Sequence, residues 1–361
     1  MTYEGARSIA GPFLAVLGTS ATGVGIVSGF GEFIGYALRL VSGFIVDKTG
    51  KYWLLTISGY AINVLAVPLL ALTHHWEIAA LLIVMERAGK ALRAPARDVM
   101  LSYATHQVGR GKGFGLHQAL DQVGAVLGPL IVASVLYFQN SYQLSFAILL
   151  FPALLTMLTV YIAYKLYPTP HNLEPATPNA AVKNISKKFR IYVAAGSLVA
   201  AGYADFPLIA YHFEKMKMIS DMWIAILYTI AMLTDALASL LLGYLYDKNG
   251  LKSLLFVIAL TAFFAPLVFL GGFYSVMVGV ILWGIGLGAQ SSIMKAAIVN
   301  LVPMERRGIA YGTFNMFFGV TWFLGSAVMG ILYDTSITLL IAFSLFLQLL
   351  SIPFFFKVIR S

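Results

Sequence analysis

The stretch GFIVDKTG at residues 43–50 is repeated as GYLYDKNG at residues 243–250, 200 positions later in the chain. Both copies combine two glycines with an Asp-Lys pair, and both end an apolar stretch. A second pattern is repeated 197 positions later: Arg110, Gly111, Gly115 and Gly128 match Arg307, Gly308, Gly312 and Gly325. Two repeats at almost the same separation indicate that the chain consists of two parallel, duplicated halves.

The composition is that of a membrane protein. Of the 361 residues, 60% are hydrophobic and only 11% are charged, whereas soluble domains have roughly 25% charged residues. So few charges cannot cover a water-facing surface, which argues against a soluble enzyme and against a disordered chain. The absence of cysteine argues against a disulfide-stapled secreted domain. Because about 20 apolar residues span a bilayer, the chain has room for twelve spans and short loops.

The order of apolar and polar segments predicts the domain organisation. The apolar stretches lie at roughly 1–18, 22–46, 52–72, 77–100, 112–138, 143–167, 190–212, 221–246, 253–271, 273–302, 308–332 and 336–357. A segment with four prolines separates the sixth stretch from the seventh. We therefore predict an all-α polytopic membrane protein with twelve transmembrane helices. It has an N-terminal six-helix bundle at 1–167, a cytoplasmic linker at 168–189 and a C-terminal six-helix bundle at 190–361.

The distribution of basic residues predicts the orientation in the membrane. The net charge is +9, and of the 24 Lys and Arg residues, 16 fall on one side of the predicted spans and two on the other. Basic loops stay in the cytoplasm, so we expect a multi-pass protein of the cell membrane with both termini and the linker cytoplasmic. The positive charge is then a topology signal, and no nucleic-acid partner is expected.

Four motifs resemble those of the major facilitator superfamily of secondary transporters. They are Gly43-x-x-x-Asp47-Lys48-x-Gly50-Lys51 after the second span, its degenerate copy from Gly243 to Lys252, Arg87-x-Gly89 in the fourth span and Gly124-x-x-x-Gly128-Pro129 in the fifth. The last is similar to a glycine-proline motif commonest in exporters. The stretch at 86–98 resembles a prokaryotic subset that is drug-efflux-like or unassigned. The resemblance implies two pseudo-symmetric bundles around a central site.

The resemblance also gives the repeated loop a gating role. It implies that the loop latches the cytoplasmic side shut in the outward-facing state. The gating residues so implied are Gly43, Asp47, Lys48, Gly50, Gly243, Asp247, Lys248 and Gly250. One feature departs from the family: the first apolar stretch begins at Met1, whereas members usually have a longer first helix. We therefore expect either a shortened first helix or a chain that starts late.

Twelve charged residues fall within the predicted spans. They are Glu4, Arg7, Glu32, Arg39, Glu86, Arg87, Lys90, Arg93, Asp121, Asp205, Asp235 and Lys295. Each costs roughly 2.5–3.5 kcal/mol at mid-membrane on insertion scales. Facing lipid together, they would cost far more than the net stability of a folded protein. They must therefore face one another or a water-filled cavity.

The fourth span carries a charged stripe. Glu86, Lys90, Arg93 and Arg97 are spaced so that they share one helical face. In one interpretation, Arg87, Lys90 and Arg93 bind an anionic group in the cavity. In the other, the stripe is a ladder of ion pairs that holds neighbouring helices together.

The first two spans carry two pairs of charges. In the second span, Glu32 could exchange a proton between the two sides of the membrane, because burial of a carboxylate favours its protonated form. Alternatively, Glu32 forms a permanent ion pair with Arg39 or Arg7. Glu4 and Arg7 share a face of the first span, which commonly lines the cavity in the superfamily.

The remaining candidates lie in the fifth, seventh, eighth and tenth spans. His117 and Asp121 are four residues apart and could form a proton relay or a structural contact. Asp205 and Asp235 could couple protons to transport. Lys295 is expected to face the cavity or pair with an acid.

No motif for another chemistry is present in the sequence. There is no phosphate-binding loop for ATP, and no metal site, cofactor or enzymatic activity is expected. We therefore predict a secondary transporter, and we expect it to act as a monomer. The first hypothesis is a proton-coupled exporter of amphipathic or drug-like solutes. The alternative is a carrier for a small organic anion bound by Arg87, Lys90 and Arg93, and a non-transporting receptor is the remote third.

Overall fold

The computed structural model describes residues 1–104, 110–168, 186–302 and 307–360. Apart from short loops and turns, these residues are helical. The helices are α1 (Thr2–Val16), α2 (Ala21–Thr49), α3 (Tyr52–Leu69), α4 (Trp76–Ala104), α5 (Arg110–Gln139), α6 (Tyr142–Ile148), α7 (Leu150–Leu166), α8 (Lys187–Gly202), α9 (Phe206–Met216), α10 (Asp221–Asn249), α11 (Lys252–Thr261), α12 (Phe264–Leu270), α13 (Phe273–Ser291), α14 (Ile293–Leu301), α15 (Arg307–Thr335) and α16 (Ile337–Arg360). A 3₁₀ turn, Leu70–Leu72, follows α3.

The twelve predicted spans are confirmed as helices. Four of them are interrupted, so α6 and α7, α8 and α9, α11 and α12, and α13 and α14 each form one membrane-spanning unit. Ten of the twelve are long and apolar enough to count as membrane spans by length and composition. The other two are α1, which has only 15 residues, and α4, which carries the charged stripe.

Local sequence signals explain several helix boundaries. Ser20, Ser141 and Ser186 each accept a hydrogen bond from a backbone N–H in the first turn of α2, α6 and α8, which satisfies a donor that the helix leaves free. At the other end of α2, Gly50 adopts a left-handed conformation with φ of 62°, and Gly250 follows α10 with φ of 58°. Only glycine adopts such values without strain. Both copies of the loop therefore end at a glycine with a positive φ, although the ψ angles of 11° at Gly50 and −147° at Gly250 differ.

The two halves meet through a small set of helix pairs. Helix α2 packs against α15, α5 against α10, and α1 against α9. In the duplicated halves, α2 corresponds to α10 and α5 to α15. Interchanging the halves therefore converts the α2–α15 pair into the α10–α5 pair, as expected for pseudo-symmetric bundles. This arrangement confirms the predicted pair of six-helix bundles.

Polar contacts join the halves on the face opposite to the Gly50 and Gly250 turns; we call it the closed face. There the Asp334 carboxylate at the end of α15 accepts hydrogen bonds from the backbone N–H groups of Ala21 and Thr22, at 3.2 and 2.8 Å, and from the Thr22 hydroxyl at 2.6 Å. A carboxylate at a helix N-terminus also interacts favourably with the helix dipole. The second half of the protein thus caps a helix of the first.

A close approach of backbones continues this contact into the membrane. A Cβ atom at Gly25 of α2 would lie 2.4 Å from the carbonyl oxygen of Ser326 in α15. Further along α2, a Cβ atom at Gly35 would meet nothing within 4 Å. The halves therefore touch backbone to backbone near the closed face and leave a space beside Gly35, while the side chains of Tyr36 and Leu40 keep α2 in contact with α15 at Gly319 and Gly312. We call the face with the Gly50 and Gly250 turns the basic face.

We expect Gly25→Ala to disfavour the arrangement described here, because its methyl group would overpack the α2–α15 contact by about 1–3 kcal/mol. The cavity between the halves should then spend less time open. A cysteine introduced at Ser291, which is exposed in that cavity, should be alkylated several-fold more slowly. The natural chain has no cysteine, so this label is unique. Gly35→Ala, in the same helix, should leave the rate unchanged, and equal rates for both variants would contradict the model of the contact.

Candidate functional site

A central cavity of about 220 Å³ lies between the two halves. Its N-terminal wall comes from α1, α2 and α4, and its C-terminal wall comes from α13, α14 and α15. Arg39 and Lys295 are the charged lining residues nearest to the basic face, and both are exposed. The cavity therefore opens toward the basic face.

A network of four buried charges forms one end of this site. The Arg7 Nη2 atom lies 2.8 Å from Asp205 Oδ1 and 3.2 Å from Glu32 Oε1. The Arg87 Nη1 atom lies 3.3 Å from the same Glu32 oxygen. These two cations and two carboxylates neutralise one another across α1, α2, α4 and the loop before α9, and Arg87 Nε also lies 3.3 Å from Glu86 Oε2. Because Asp205 belongs to the C-terminal half, the network also joins the halves.

The interruption between α8 and α9 places Asp205 in this network. Pro207 cannot donate the backbone hydrogen bond that a continuous helix would need, and the helix stops at Gly202. The indole N–H of Trp283 donates at 2.9 Å to the buried carbonyl of Ala204, which lies in the break between α8 and α9. Asp205 then caps α9 by accepting from the Phe206 N–H at 2.9 Å. Its carboxylate is only 1% exposed, and it is fixed both by its own helix and by Arg7.

Three further cations line the central cavity without such compensation. They are Arg39, Lys90 and Lys295. Within the described part of the chain, no carboxylate oxygen lies within 4 Å of any of them. Lys90 Nζ lies 4.0 Å from the centre of the Tyr3 ring, and the Arg39 guanidinium lies 6.0 Å from the centre of the Tyr36 ring. The lining therefore has five cations and one carboxylate, Glu32.

A second chamber of about 150 Å³ adjoins the first and shares Arg7, Lys90 and Leu287 with it. It is lined by three acids, Glu4, Asp121 and Asp235. Glu4 accepts a hydrogen bond from the Tyr228 hydroxyl of the C-terminal half. Asp235 accepts one from Ser239 at 3.2 Å. Among the residues that the structure describes, no group of His, Asp and Glu is arranged to hold a metal ion.

The charged stripe of α4 does not act as one surface. Lys90 lines the central cavity, but the guanidinium of Arg93 packs 4.2 Å from the centre of the Tyr60 ring of α3 and is 4% exposed. Glu86 accepts from the Asn63 side chain at 2.8 Å, and Arg97 pairs with Asp98 at 2.7 Å. Arg93 is thus turned toward α3, and the predicted anion-binding group of Arg87, Lys90 and Arg93 is not brought together.

The structure separates the remaining alternatives by geometry. Of the two ion pairs proposed for Glu32, the structure shows the pair with Arg7 and not the pair with Arg39. The side chain of His117 lies outside the described residues, so the predicted contact between His117 and Asp121 stays a prediction. Asn315 and Phe318, which also line the cavity, and the capping residue Asp334 were not predicted. No local sequence signal marks Asp334, because its partner Thr22 lies in the other half of the chain.

The implied gating residues lie at the basic face. Lys48 and Lys248 occupy equivalent positions, above the Phe44 ring at 5.9 Å and above the Tyr244 ring at 4.5 Å. Asp247 is exposed, and the Asp47 side chain lies outside the described residues. A Cβ atom at Gly43 would lie 3.9 Å from Pro95, and one at Gly243 would meet nothing within 4 Å.

A family model described as Major Facilitator Superfamily matches residues 1–213 and 192–361. The chain belongs to the major facilitator superfamily. An uncharacterized protein of Mycobacterium tuberculosis is 35% identical over 99% of this chain and 89% of its own length. An uncharacterized MFS-type transporter of Methanocaldococcus jannaschii is 29% identical over 90% of this chain and 84% of its own length.

Solved structures of transporters have the same fold. The nucleoside transporter NupG aligns with a TM-score of 0.75 at 15% identity, over 99% of this chain and 95% of its own. A bacterial homologue of the iron transporter ferroportin, in an inward-facing state, aligns with a TM-score of 0.72 at 14% identity, over 100% of this chain and 96% of its own. These similarities place the central cavity of this transporter within a known twelve-helix architecture.

We expect Arg7→Gln to destabilise the transporter, because it leaves Asp205 as an uncompensated buried charge at a cost of about 3–5 kcal/mol. The midpoint of thermal unfolding in detergent should fall clearly. Asp205→Asn in the same chain should restore part of the loss, since the two changes remove both partners. Arg39→Gln, which breaks no ion pair, should leave the midpoint nearly unchanged. A fall of the same size for Arg39→Gln would show that the network is not a special stabilising element.

Proposed function

We propose that this transporter carries an organic anion through the central cavity. The observation that supports the proposal is the surplus of positive charge. Glu32 compensates part of the charge of Arg7 and Arg87, whereas no carboxylate oxygen of the described residues lies within 4 Å of Arg39, Lys90 or Lys295. Unpaired charges are costly inside a membrane, so three cations around one water-filled space favour an anionic ligand. This proposal takes up the anion-carrier hypothesis, with Arg39 and Lys295 in the place of Arg93.

The rest of the lining suits an anion that also has an apolar part. Tyr36, Phe314, Phe318 and Trp322 form one side of the cavity. The rings of Tyr36, Phe314 and Trp322 all pack around that of Phe318, with centres 6.0, 5.5 and 5.6 Å from its centre. Aromatic side chains bind flat apolar groups over a large area. The expected solute is therefore amphipathic, with its negative charge near the cations of α2, α4 and α14 and its apolar part against α15.

Transport would proceed by alternating access. Basic loops remain cytoplasmic, so the cavity, which opens toward the basic face, would face the cytoplasm with both termini on that side. In the opposite state, the contacts of Asp334 and of Gly25 at the closed face would separate. The repeated loop at 43–50 and 243–250 would then close the basic face, as the family resemblance implies. Rocking of two bundles around a central site is typical of this fold.

A second candidate is proton coupling, supported by the acidic chamber. Glu32 forms ion pairs with Arg7 and Arg87, and Asp205 forms one with Arg7. Protonation of either carboxylate would therefore break an ion pair. Asp235 has no cation within 4 Å among the described residues, and its chamber adjoins the central cavity. Asp235 can therefore take up a proton without breaking an ion pair, and it shares its chamber with Lys90 at the boundary between the two chambers.

We expect Arg39→Gln and Lys295→Gln each to weaken anion binding about tenfold, the factor for the loss of one charge-assisted contact. Binding would be measured by the shift in unfolding temperature with a series of small aromatic carboxylates. A matched series of aromatic quaternary ammonium compounds serves as the cationic comparison. Lys217→Gln, an exposed cation near the closed face, should have no effect. Stronger binding of the ammonium series by the natural protein would favour the exporter of cationic amphipathic solutes instead.

For proton coupling, we expect Asp235→Asn to remove the dependence of transport on an imposed pH step in liposomes. Glu32→Gln and Asp205→Asn should reduce the transport rate, because they disturb the charge network, but should keep its dependence on the pH step. Glu77→Gln, an exposed acid at the start of α4, is the matched control. An unchanged pH dependence in Asp235→Asn would exclude this residue as the coupling site.

A further inference from the structure

Two buried polar groups in the C-terminal wall of the central cavity have no hydrogen-bond partner among the residues that the structure describes. Gln290, in the last turn of α13, is 9% exposed, and neither its Nε2 nor its Oε1 atom is hydrogen-bonded. Trp322 of α15 is 4% exposed, and its indole Nε1 atom is likewise free. Buried donors and acceptors are nearly always satisfied in native proteins. Unsatisfied groups in the wall of a binding cavity therefore need an explanation.

Neighbouring aromatic side chains of the same half have their polar groups satisfied by backbone carbonyls, although His212 Nε2, Ser326 Oγ and Gln348 Nε2 are also without a partner among the described residues. The indole N–H of Trp283 donates to the Ala204 carbonyl at 2.9 Å. The hydroxyl of Tyr203 donates to the Trp283 carbonyl, and that of Tyr192 donates to the Met294 carbonyl. Trp322 differs from Trp283 in that it lines the central cavity. The unpartnered N–H thus belongs to a residue that borders the space where a solute would bind.

Gln290 has two spaces beside it. One is the central cavity, and the other is a cavity of about 10 Å³ inside the C-terminal half, which it shares with Gln348. The smaller space holds at most one water molecule. A water there could satisfy one atom of the Gln290 amide, but an organic group that pairs with both the donor and the acceptor fits only in the central cavity.

We propose that Gln290 and Trp322 form a recognition site for an amide-like group of the transported solute, that is, a group with a hydrogen-bond donor next to an acceptor. The Gln290 amide would pair with both, and the Trp322 indole N–H would donate to a further acceptor. The proposal rests on the proposed function, in which the cations bind the negative end. It defines the solute class as aromatic anions that carry an amide or an equivalent nitrogen heterocycle.

The position of the site within the cavity is consistent with this division of roles. Gln290 lies five residues before Lys295, on the adjoining helix, and Trp322 packs against Phe318, with ring centres 5.6 Å apart. A solute that extends along this wall would meet a cation, an amide and aromatic faces in turn. A buried polar pair of this kind gives selectivity, because an analogue without the matching group leaves the site unsatisfied.

The test compares two anions that differ only in a primary amide, whose N–H and C=O lie on the same edge, 3-(4-carbamoylphenyl)propanoate and 3-phenylpropanoate. We expect the natural protein to bind the amide-bearing anion about tenfold more tightly, the factor for one good hydrogen bond. Quenching of tryptophan fluorescence and the shift in unfolding temperature would both measure binding. In Gln290→Met, which keeps the length of the side chain, the preference should disappear while 3-phenylpropanoate binds as before. In Trp322→Phe, the preference should shrink.

Control variants separate the possible failures. Gln348→Met, which changes the small internal cavity alone, should leave the preference intact, and a loss as large as that of Gln290→Met would overturn the proposal. A preference that survives Gln290→Met would also overturn it. If both anions bind equally to the natural protein and both are lost in Lys295→Gln, the amide site is wrong and the anion carrier stands. If neither anion binds the natural protein, the proposed function itself fails for this class of solute.

Discussion

Charge compensation inside the membrane is the constraint on which this structure depends. Arg7, Glu32, Arg87 and Asp205 would each be unfavourable alone in a low-dielectric environment, and together they form a charge-balanced set of ion pairs in which Arg7 also donates a hydrogen bond to Asp205. The set needs helices from both halves, so it also fixes how the bundles sit relative to each other. It explains why α9 begins where it does, since the break before Phe206 is what exposes the Asp205 carboxylate to Arg7.

The contacts at the closed face compensate buried polar groups as well, but here the compensated groups belong to the backbone. The first N–H groups of α2 have no partners within their own helix, and Asp334 supplies one from α15. Below this cap, glycine allows α2 and α15 to approach until backbone meets backbone. Both features are polar or steric and act over short distances. Such a contact is either made or lost, which suits an interface with two discrete arrangements.

The sequence predicted the fold more completely than the site. The spans and the two bundles follow from hydropathy and repetition, whereas for Glu32 the sequence left open proton exchange or an ion pair with Arg39 or Arg7. Arg93 shows the limit. At about 100° of rotation per residue, it lies within some 60° of Lys90 on the face of α4, and that face borders both the cavity and α3. Helical periodicity gives the direction of a side chain but does not identify the residue that it contacts. In this structure, Arg93 packs against the Tyr60 ring of α3. Contacts such as Thr22 with Asp334 join distant segments, so no local pattern marks them.

The contrast between the neutral network and the surplus cations has a consequence for the transport cycle under the proposed function. An open cavity lets water solvate Arg39, Lys90 and Lys295, so the surplus is tolerated while the basic face is open. Closing that face without a solute would remove water from three like charges, at an effective cost of several kcal/mol per ion. A bound anion would compensate them, just as Glu32 and Asp205 compensate Arg7 and Arg87. The charge distribution thus favours closure of the loaded carrier over closure of the empty one, which is the property that an exchanger or a coupled carrier needs.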